Sequence, residues 1–238
     1  VEPNSGALNI ETEGSSNLVL LNVFEGNQVE RTTNRQLVGN SVGRGGAIGI
    51  FNQSTPLIEF NLFTGNQTGY GGSAIASAER AVPIIRSNLF LNNISEHQPE
   101  DLYARMGAGT IFLETVGTPG GSNEFAQAGI YSNYFQGNQA AIAAGIYVGD
   151  GAAVEAERNT FAGSTITGGS LRGPGSGLDL QAEAILFDHF YDQPDISHLA
   201  HNTYVGSGNG ELKAWIFNSE PTSQLTINAD SFAVSDTL

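Results

Sequence analysis

The segment Asn22-Val-Phe24-Glu-Gly-Asn27 recurs along the chain and decides how the rest is read. It returns as Asn61-Leu-Phe63-Thr-Gly-Asn66, Asn88-Leu-Phe90-Leu-Asn-Asn93 and Asn133-Tyr-Phe135-Gln-Gly-Asn138. Two weaker copies follow, Asn159-Thr-Phe161-Ala-Gly-Ser164 and Asn202-Thr-Tyr204-Val-Gly-Ser207. Between the copies lies a second motif: Gly45-Gly-Ala-Ile-Gly-Ile50, Gly71-Gly-Ser-Ala-Ile75, Gly107-Ala-Gly-Thr-Ile-Phe112, Ala144-Gly-Ile-Tyr147 and Gly175-Ser-Gly-Leu-Asp-Leu180. Self-similarity of this kind is the mark of a repeat architecture, in which each unit buries its apolar face only against its neighbours.

Successive leading Asn residues are 39, 27, 45, 26 and 43 positions apart. A coil of three short strands and three turns needs roughly 20–27 residues. The short spacings therefore read as bare coils and the long ones as coils carrying an inserted loop. Because long and short alternate, the loops are expected on one side of the stack. Segments such as Leu57–Phe63 and Ile84–Phe90 are β-branched and aromatic and too narrow to bury an apolar face alone. Stacked about 4.8 Å apart they pair in parallel and merge their inner faces. The expected fold is an all-β, single-stranded, right-handed parallel β-helix of about seven coils, roughly 35 Å long. As one domain it divides into residues 1–16 (extension or cap), 17–222 (coils) and 223–238 (strand or cap).

Two residue types acquire mechanical roles. Asn22, Asn61, Asn88, Asn133, Asn159 and Asn202 fall at one place in each coil, a corner between strands, where stacked amides bond along the axis. Phe24, Phe63, Phe90, Phe135 and Phe161, two positions later, point inward and stack on one another. Gly permits the positive φ of tight corners.

Composition narrows the function. Hydrophobic content is 39% but charged content only 14%, and the formal net charge is −15. Nucleic acid, anionic membrane surfaces and polyanionic substrates such as polyuronates are poor partners for such a chain. There is no Cys, so packing and the hydrogen-bond ladder must carry the fold. No apolar run is long enough to cross a bilayer as a helix. The chain begins at Val1, which suggests processing or excision.

Together, Phe-x-x-Asn and Gly-Gly-Ala-Ile resemble the repeats of chlamydial-type polymorphic outer-membrane proteins. More loosely, they are similar to the pectin-lyase-like β-helix superfamily. The clearest matches are Phe24–Asn27, Gly45–Ile50, Phe63–Asn66 and Phe135–Asn138, and the likeness extends over residues 17–207. It implies an exported, surface-displayed, adhesive passenger, hence an extracellular or cell-surface location.

The insertions are where chemistry would sit. The first, Val29–Arg44, carries Glu30, Arg31, Arg35 and Arg44 and reads as a solvated loop. The second holds His97-Gln-Pro99-Glu-Asp-Leu-Tyr-Ala-Arg105, and the third repeats Gln-Pro-acidic at Gln193-Pro194-Asp195; each is expected to begin a short helical turn. Asp188, His189, Asp192, Asp195, His198 and His201 cluster in the third, with His198 and His201 on one face if that turn is helical. No zinc spacing is present, and calcium is the metal that an acidic surface would suit; otherwise no cofactor is called for. Carboxylates at Glu59, Asp150, Glu155, Glu157, Asp179 and Asp188 do not recur so as to place two side by side. Arg80, Arg86, Arg158 and Arg172 are too scattered to supply a lyase base, and no catalytic residue is identified. Sequons at Asn66 and Asn93 coincide with ladder positions expected to be buried; the third is Asn52.

The expectation is thus a non-enzymatic structural or adhesive β-helix. Its partners are surface glycans or copies of itself, joined at their sides or end to end into fibres. The competing reading is a glycoside hydrolase or polysaccharide lyase on the same scaffold. Neither residues 1–16 nor the tail from Ser223 reads as an amphipathic cap over an open end.

Overall fold

A computed structural model describes residues 6–11, 13–29, 44–96, 108–114, 126–149, 151–167, 182–187, 196–206, 214–218 and 224–234. These form a parallel β-helix. The second coil shows the plan, with strands Ile48–Ile50, Leu57–Glu59, Leu62–Thr64 and Gln67–Thr68. Each strand pairs in parallel with its equivalent one coil before and one coil after, building four sheets. Sheet I runs from Leu8–Ile10 to Ala214–Asn218, sheet II from Leu18–Leu20 to Gln224–Asn228, and sheet III from Val23–Glu25 to Ser231–Val234, each with seven strands. Sheet IV, from Gln28–Val29 to Thr165–Ile166, has five. Seven coils result. The first coil begins at Leu8–Ile10, and the last takes in Ala214–Asn218, Gln224–Asn228 and Ser231–Val234.

The corner between sheets II and III carries the leading Asn of coils one to six and Asp230 in the seventh. Asn61 is typical: its main-chain N–H and its Nδ2 donate to Asn88 Oδ1 of the next coil, at 2.9 and 3.0 Å. Its Nδ2 also donates to Val19 O of the coil before and to Glu59 O of its own coil. Asn22, Asn88, Asn133 and Asn159 donate to the next Asn in the same way. One side chain thus ties three coils together and closes the main-chain donors and acceptors that a turn would otherwise leave bare. The residue before this Asn, or before Asp230 in the seventh coil, is left-handed throughout, with φ of 53–57° at Leu21, Phe60, Ser87, Ser132, Arg158, His201 and Ala229. None is glycine, so the corner is strained by roughly 1–2 kcal/mol per coil and is held by the ladder.

A parallel ladder sits at the corner between sheets III and IV. Asn27, Asn66 and Asn93 donate through Nδ2 to Asn66, Asn93 and Asn138 at 2.9–3.0 Å. In the fifth coil the place belongs to Ser164, whose buried Oγ has no hydrogen-bond partner. Thr165–Ile166, directly after Ser164, is the last described strand of sheet IV.

Inside, equivalent residues stack in columns. Phe24, Phe63, Phe90, Phe135, Phe161, Tyr204 and Phe232 form one continuous stack with ring centroids 4.7–5.4 Å apart and planes within 13° of parallel. Each such pair adds about 0.5–1.5 kcal/mol beyond burial. Ile48, Ile75, Ile111, Ile146 and Ile185 of sheet I and Val19, Ile58, Ile85 and Ile130 of sheet II face the same core. Entry into sheet I is set by glycine. Gly72 has φ +71°, and a Cβ there would lie 2.3 Å from Ile75 O; Gly45 and Gly109 repeat the conformation.

Residues 30–43, 97–107 and 168–181 connect sheet IV of one coil to sheet I of the next, whereas 115–125 and 188–195 connect sheet I to sheet II. These five connections therefore start and finish at the two corners flanking sheet I. The helical turns expected at Pro99 and Pro194 lie outside the described residues, which contain no helix.

Asn88→Ala removes the acceptor for Asn61 N and Nδ2 and the donor to Ile58 O, all buried, and should cost about 3–5 kcal/mol in chemical denaturation. Asn88→Asp keeps the acceptor but not the donor, and should be nearly as damaging. By contrast Ser132→Gly, at an exposed left-handed corner, should raise stability by roughly 0.5–1 kcal/mol, because relieved strain exceeds the added freedom of the unfolded chain.

Candidate functional surface

On the outer side of sheet I, outward residues of the third to sixth coils are buried although they point away from the axis. Ala76, Phe112, Tyr147 and Leu186 form a second apolar cluster with Ala108, Ala141, Ile142 and Ala143, and Tyr70 packs against it. Phe112 and Tyr147 stack at 4.9 Å. Arg44 enters this layer: its Nη2 donates to Glu114 Oε2 at 2.7 Å, and both side chains are almost fully buried. The guanidinium carbon lies 5.0 Å from the Tyr70 ring centroid and 5.5 Å from that of Phe112. Burial works against the charged guanidinium, but the Glu114 carboxylate, assisted by Tyr70 and Glu79, outweighs it and raises the Arg44 pKa above its ordinary value.

This corrects the reading of Arg44 as part of a solvated loop. Arg44 opens a line of parallel bridges, Arg44 to Gly71, Gly71 to Ala108 and Ala108 to Ala143, and so belongs to the stack. The sequence held the signal, since Arg44 stands directly before Gly45 just as Gly71 stands before Gly72 and Ala108 before Gly109. Glu30, Arg31 and Arg35 lie outside the described residues.

Of the metal candidates the described residues include His198 and His201, which lie on a strand and at a corner instead of on one helical turn. His198 lies on the sheet II strand Ile196–Ala200, exposed and opposite Glu155 in the previous coil. His201 occupies the left-handed corner, with φ 57°. The alternation of Ile196-Ser-His-Leu-Ala200 suits a half-buried strand, with Ser197 and Leu199 inward, and that periodicity prevails over the Gln-Pro-acidic signal just before it. Asp188, His189, Asp192 and Asp195 lie outside the described residues. Among the described residues no group of three His, Asp or Glu side chains is placed to hold a metal.

Of the carboxylates, Glu59 is paired with Arg86 by Nε at 2.8 Å and Nη2 at 3.2 Å. Glu155 and Glu157 alternate with buried Val154 and Ala156 and so share the outer face of sheet II. Tyr131 of the preceding coil lies across Gly129, where a Cβ would meet its ring at 2.6 Å, and its hydroxyl donates to Glu155 Oε2 at 3.0 Å. Partial burial and then the Glu155 hydrogen bond push the Tyr131 phenol up to about 12. Arg158 reaches Glu157 at 3.1 Å and Arg80 has a left-handed φ; Asp150, Asp179 and Arg172 lie outside the described residues. Of the sequon residues Asn66 and Asn93 are fully buried, whereas Asn52 is exposed.

A larger feature lies around the corner of sheets II and III in the first three coils. Leu18, Leu20, Leu21, Val23, Phe60, Ile84 and Leu89 are all exposed, Leu21 by 74% and Val23 by 64%. Strand register makes them neighbours: Leu18 lies beside Leu57 and Leu57 beside Ile84, while Val23 lies beside Leu62 and Leu62 beside Leu89. Leu21 and Phe60 occupy the corner between these two rows. From the fourth coil on, the equivalent positions turn polar: Ser132 and Arg158 at the corner, Tyr134 and Thr160 beside it.

Comparison with protein-family models, with curated proteins and with solved structures finds no match. No described helix is long and apolar enough to cross a membrane.

Arg44→Met takes the ion-pair partner from the buried Glu114 carboxylate and should cost about 3–5 kcal/mol by thermal or chemical denaturation. Arg44→Met with Glu114→Leu should recover most of that loss, since an ion pair traded for apolar packing is near neutral.

Proposed function

We propose that this chain is an exported, non-enzymatic β-helix that builds or decorates an extracellular surface and makes its contacts through the apolar face of its first three coils. The observation that carries the reading is that face itself. Seven large apolar side chains stand around the sheet II–III corner, flanking the Glu59–Arg86 ion pair, on a stack held by two amide ladders and an aromatic column. Contiguous apolar surface of this kind marks an interaction site rather than an ordinary solvated wall. The chemistry suits an exposed setting: the fold needs no disulfide, and a net charge of −15 keeps so apolar a surface soluble. Its partners are surface glycans, or copies of the chain joined at their sides. The likeness of the repeats to polymorphic outer-membrane passengers points the same way.

A second reading, a carbohydrate-active enzyme, draws on one observation. Glu155, Glu157, Tyr131 and His198 share the outer face of sheet II across three adjacent coils. Carboxylates beside an aromatic ring are what a sugar-cleaving site would use.

A glycan panel scored for both retention and cleavage separates the readings. Retention without cleavage is expected, and cleavage abolished by Glu155→Gln would transfer the assignment to the enzyme. In the retention assay Leu21→Ser with Phe60→Ser should weaken binding roughly tenfold or more, the loss of about 1.4 kcal/mol. Serine already occupies the same corner at Ser87 and Ser132, so the fold should tolerate both changes. Unchanged retention in that variant would remove the apolar face from the proposal.

A further inference from the structure

The apolar face carries one charged feature, and it lies in the middle. Outward positions of sheet II form two rows along the axis, Leu18, Leu57 and Ile84 in one and Leu20, Glu59 and Arg86 in the other. In the fourth coil the rows continue as Gly129 and Tyr131, whose ring covers that glycine. Glu59 and Arg86 meet as two forks, Nε donating to Oε1 at 2.8 Å and Nη2 to Oε2 at 3.2 Å. Among the described residues Arg86 Nη1 has no acceptor, and the Arg86 side chain is 47% exposed where that of Glu59 is 14% exposed.

A lone ion pair between apolar side chains suits few occupants. A lipid surface would strip its water and return no charge. A glycan would set its hydroxyls against Leu and Ile side chains that neither donate nor accept. A second copy of the chain differs from both, because the pair is its own complement.

We propose that the outer face of sheet II in coils one to four is an interface between two copies of this chain, packed with their axes antiparallel. The inference rests on the apolar face being the contact surface, and adds which partner covers it. A two-fold axis along the strands, passing between coils two and three, turns one copy over onto the other. Coil two then lies on the partner's coil three, and coil one on its coil four. Each Arg86 faces Glu59 of the partner subunit, so four charges alternate and Nη1 gains the acceptor it lacks. The apolar row closes as well: Leu57 meets Ile84 of the partner subunit, and Leu18 and Leu20 meet Tyr131 of the partner subunit. Parallel packing in register offers no such match, since Glu59 would face Glu59 of the partner subunit or Leu57 of the partner subunit. The antiparallel contact is isologous and stops at two copies. Two rows over four coils cover roughly 300 Å² at ordinary strand spacings, well under the about 800 Å² per partner of stable complexes, so the dimer is weak and reversible.

The experiment is sedimentation equilibrium on the full chain from about 10 μM to about 1 mM, around a dissociation constant expected on the order of 0.1 mM. The unaltered protein should pass from monomer to dimer and go no further. Arg86→Glu should stay monomeric, and so should Glu59→Arg, because each sets like charges against one another. Mixed in equal amounts, those two variants should dimerise again, a rescue that a merely structural role for the pair would not give. Ile84→Ser leaves the charges in place and should weaken the dimer roughly tenfold. A chain monomeric throughout overturns the proposal. If that monomer is still retained on the glycan panel through Leu21 and Phe60, or floats with phosphatidylcholine vesicles, the apolar face stands with another occupant. A monomer that does neither removes the face too. A dimer indifferent to Arg86→Glu, or variants that fail to associate when mixed, would overturn the antiparallel register.

Discussion

The structure depends on the directional hydrogen bond between stacked asparagine amides. A parallel stack of short strands has a weakness at each corner, where the chain leaves one sheet before entering the next and its main-chain groups lose their partners. An Asn placed there supplies both missing functions, since its oxygen accepts from the coil before while its nitrogen donates onward and back to main-chain carbonyls. Asn61 alone bonds to the first, second and third coils. Because each amide serves its neighbours, the arrangement is cooperative, and it tolerates a left-handed residue before the Asn that is glycine in none of the seven coils.

The same dependence shows where the amide is replaced. In the fifth coil Ser164 stands in place of the second Asn, and a hydroxyl is too short to reach both neighbours. At the leading-Asn corner the seventh coil carries a carboxylate, which accepts but does not donate, and Tyr204 joins Asn202 in meeting it.

What the scaffold displays follows from what the ladders leave free. Their side chains are committed to the axis, so variation accumulates on outward columns and at the corners flanking sheet I. Large apolar side chains are exposed around the sheet II–III corner of coils one to three, beside the Glu59–Arg86 pair, while the ion pair of Arg44 and Glu114 is sealed within an outer apolar layer. The rigid stack and the variable wall are thereby separable, as a display function requires.

The repeat, the coil number, the aromatic column and both amide ladders were legible in the sequence because each depends on residues recurring at a fixed place in a coil, and spacing alone reveals that. Spacing also marked the long connections. Arg44, by contrast, sits among charges in a loop-like stretch, and only the bridge to Gly71 shows that it lies inside the stack. His198 and His201 looked like one helical face but belong to a strand and a corner. Asp230 follows the motif once Asp is allowed for Asn, yet its meaning needs the Tyr204 hydroxyl beside it. The order along the chain determines which residues repeat; only the winding of coil upon coil decides which donors meet which acceptors, because those partners lie 26 to 45 residues apart.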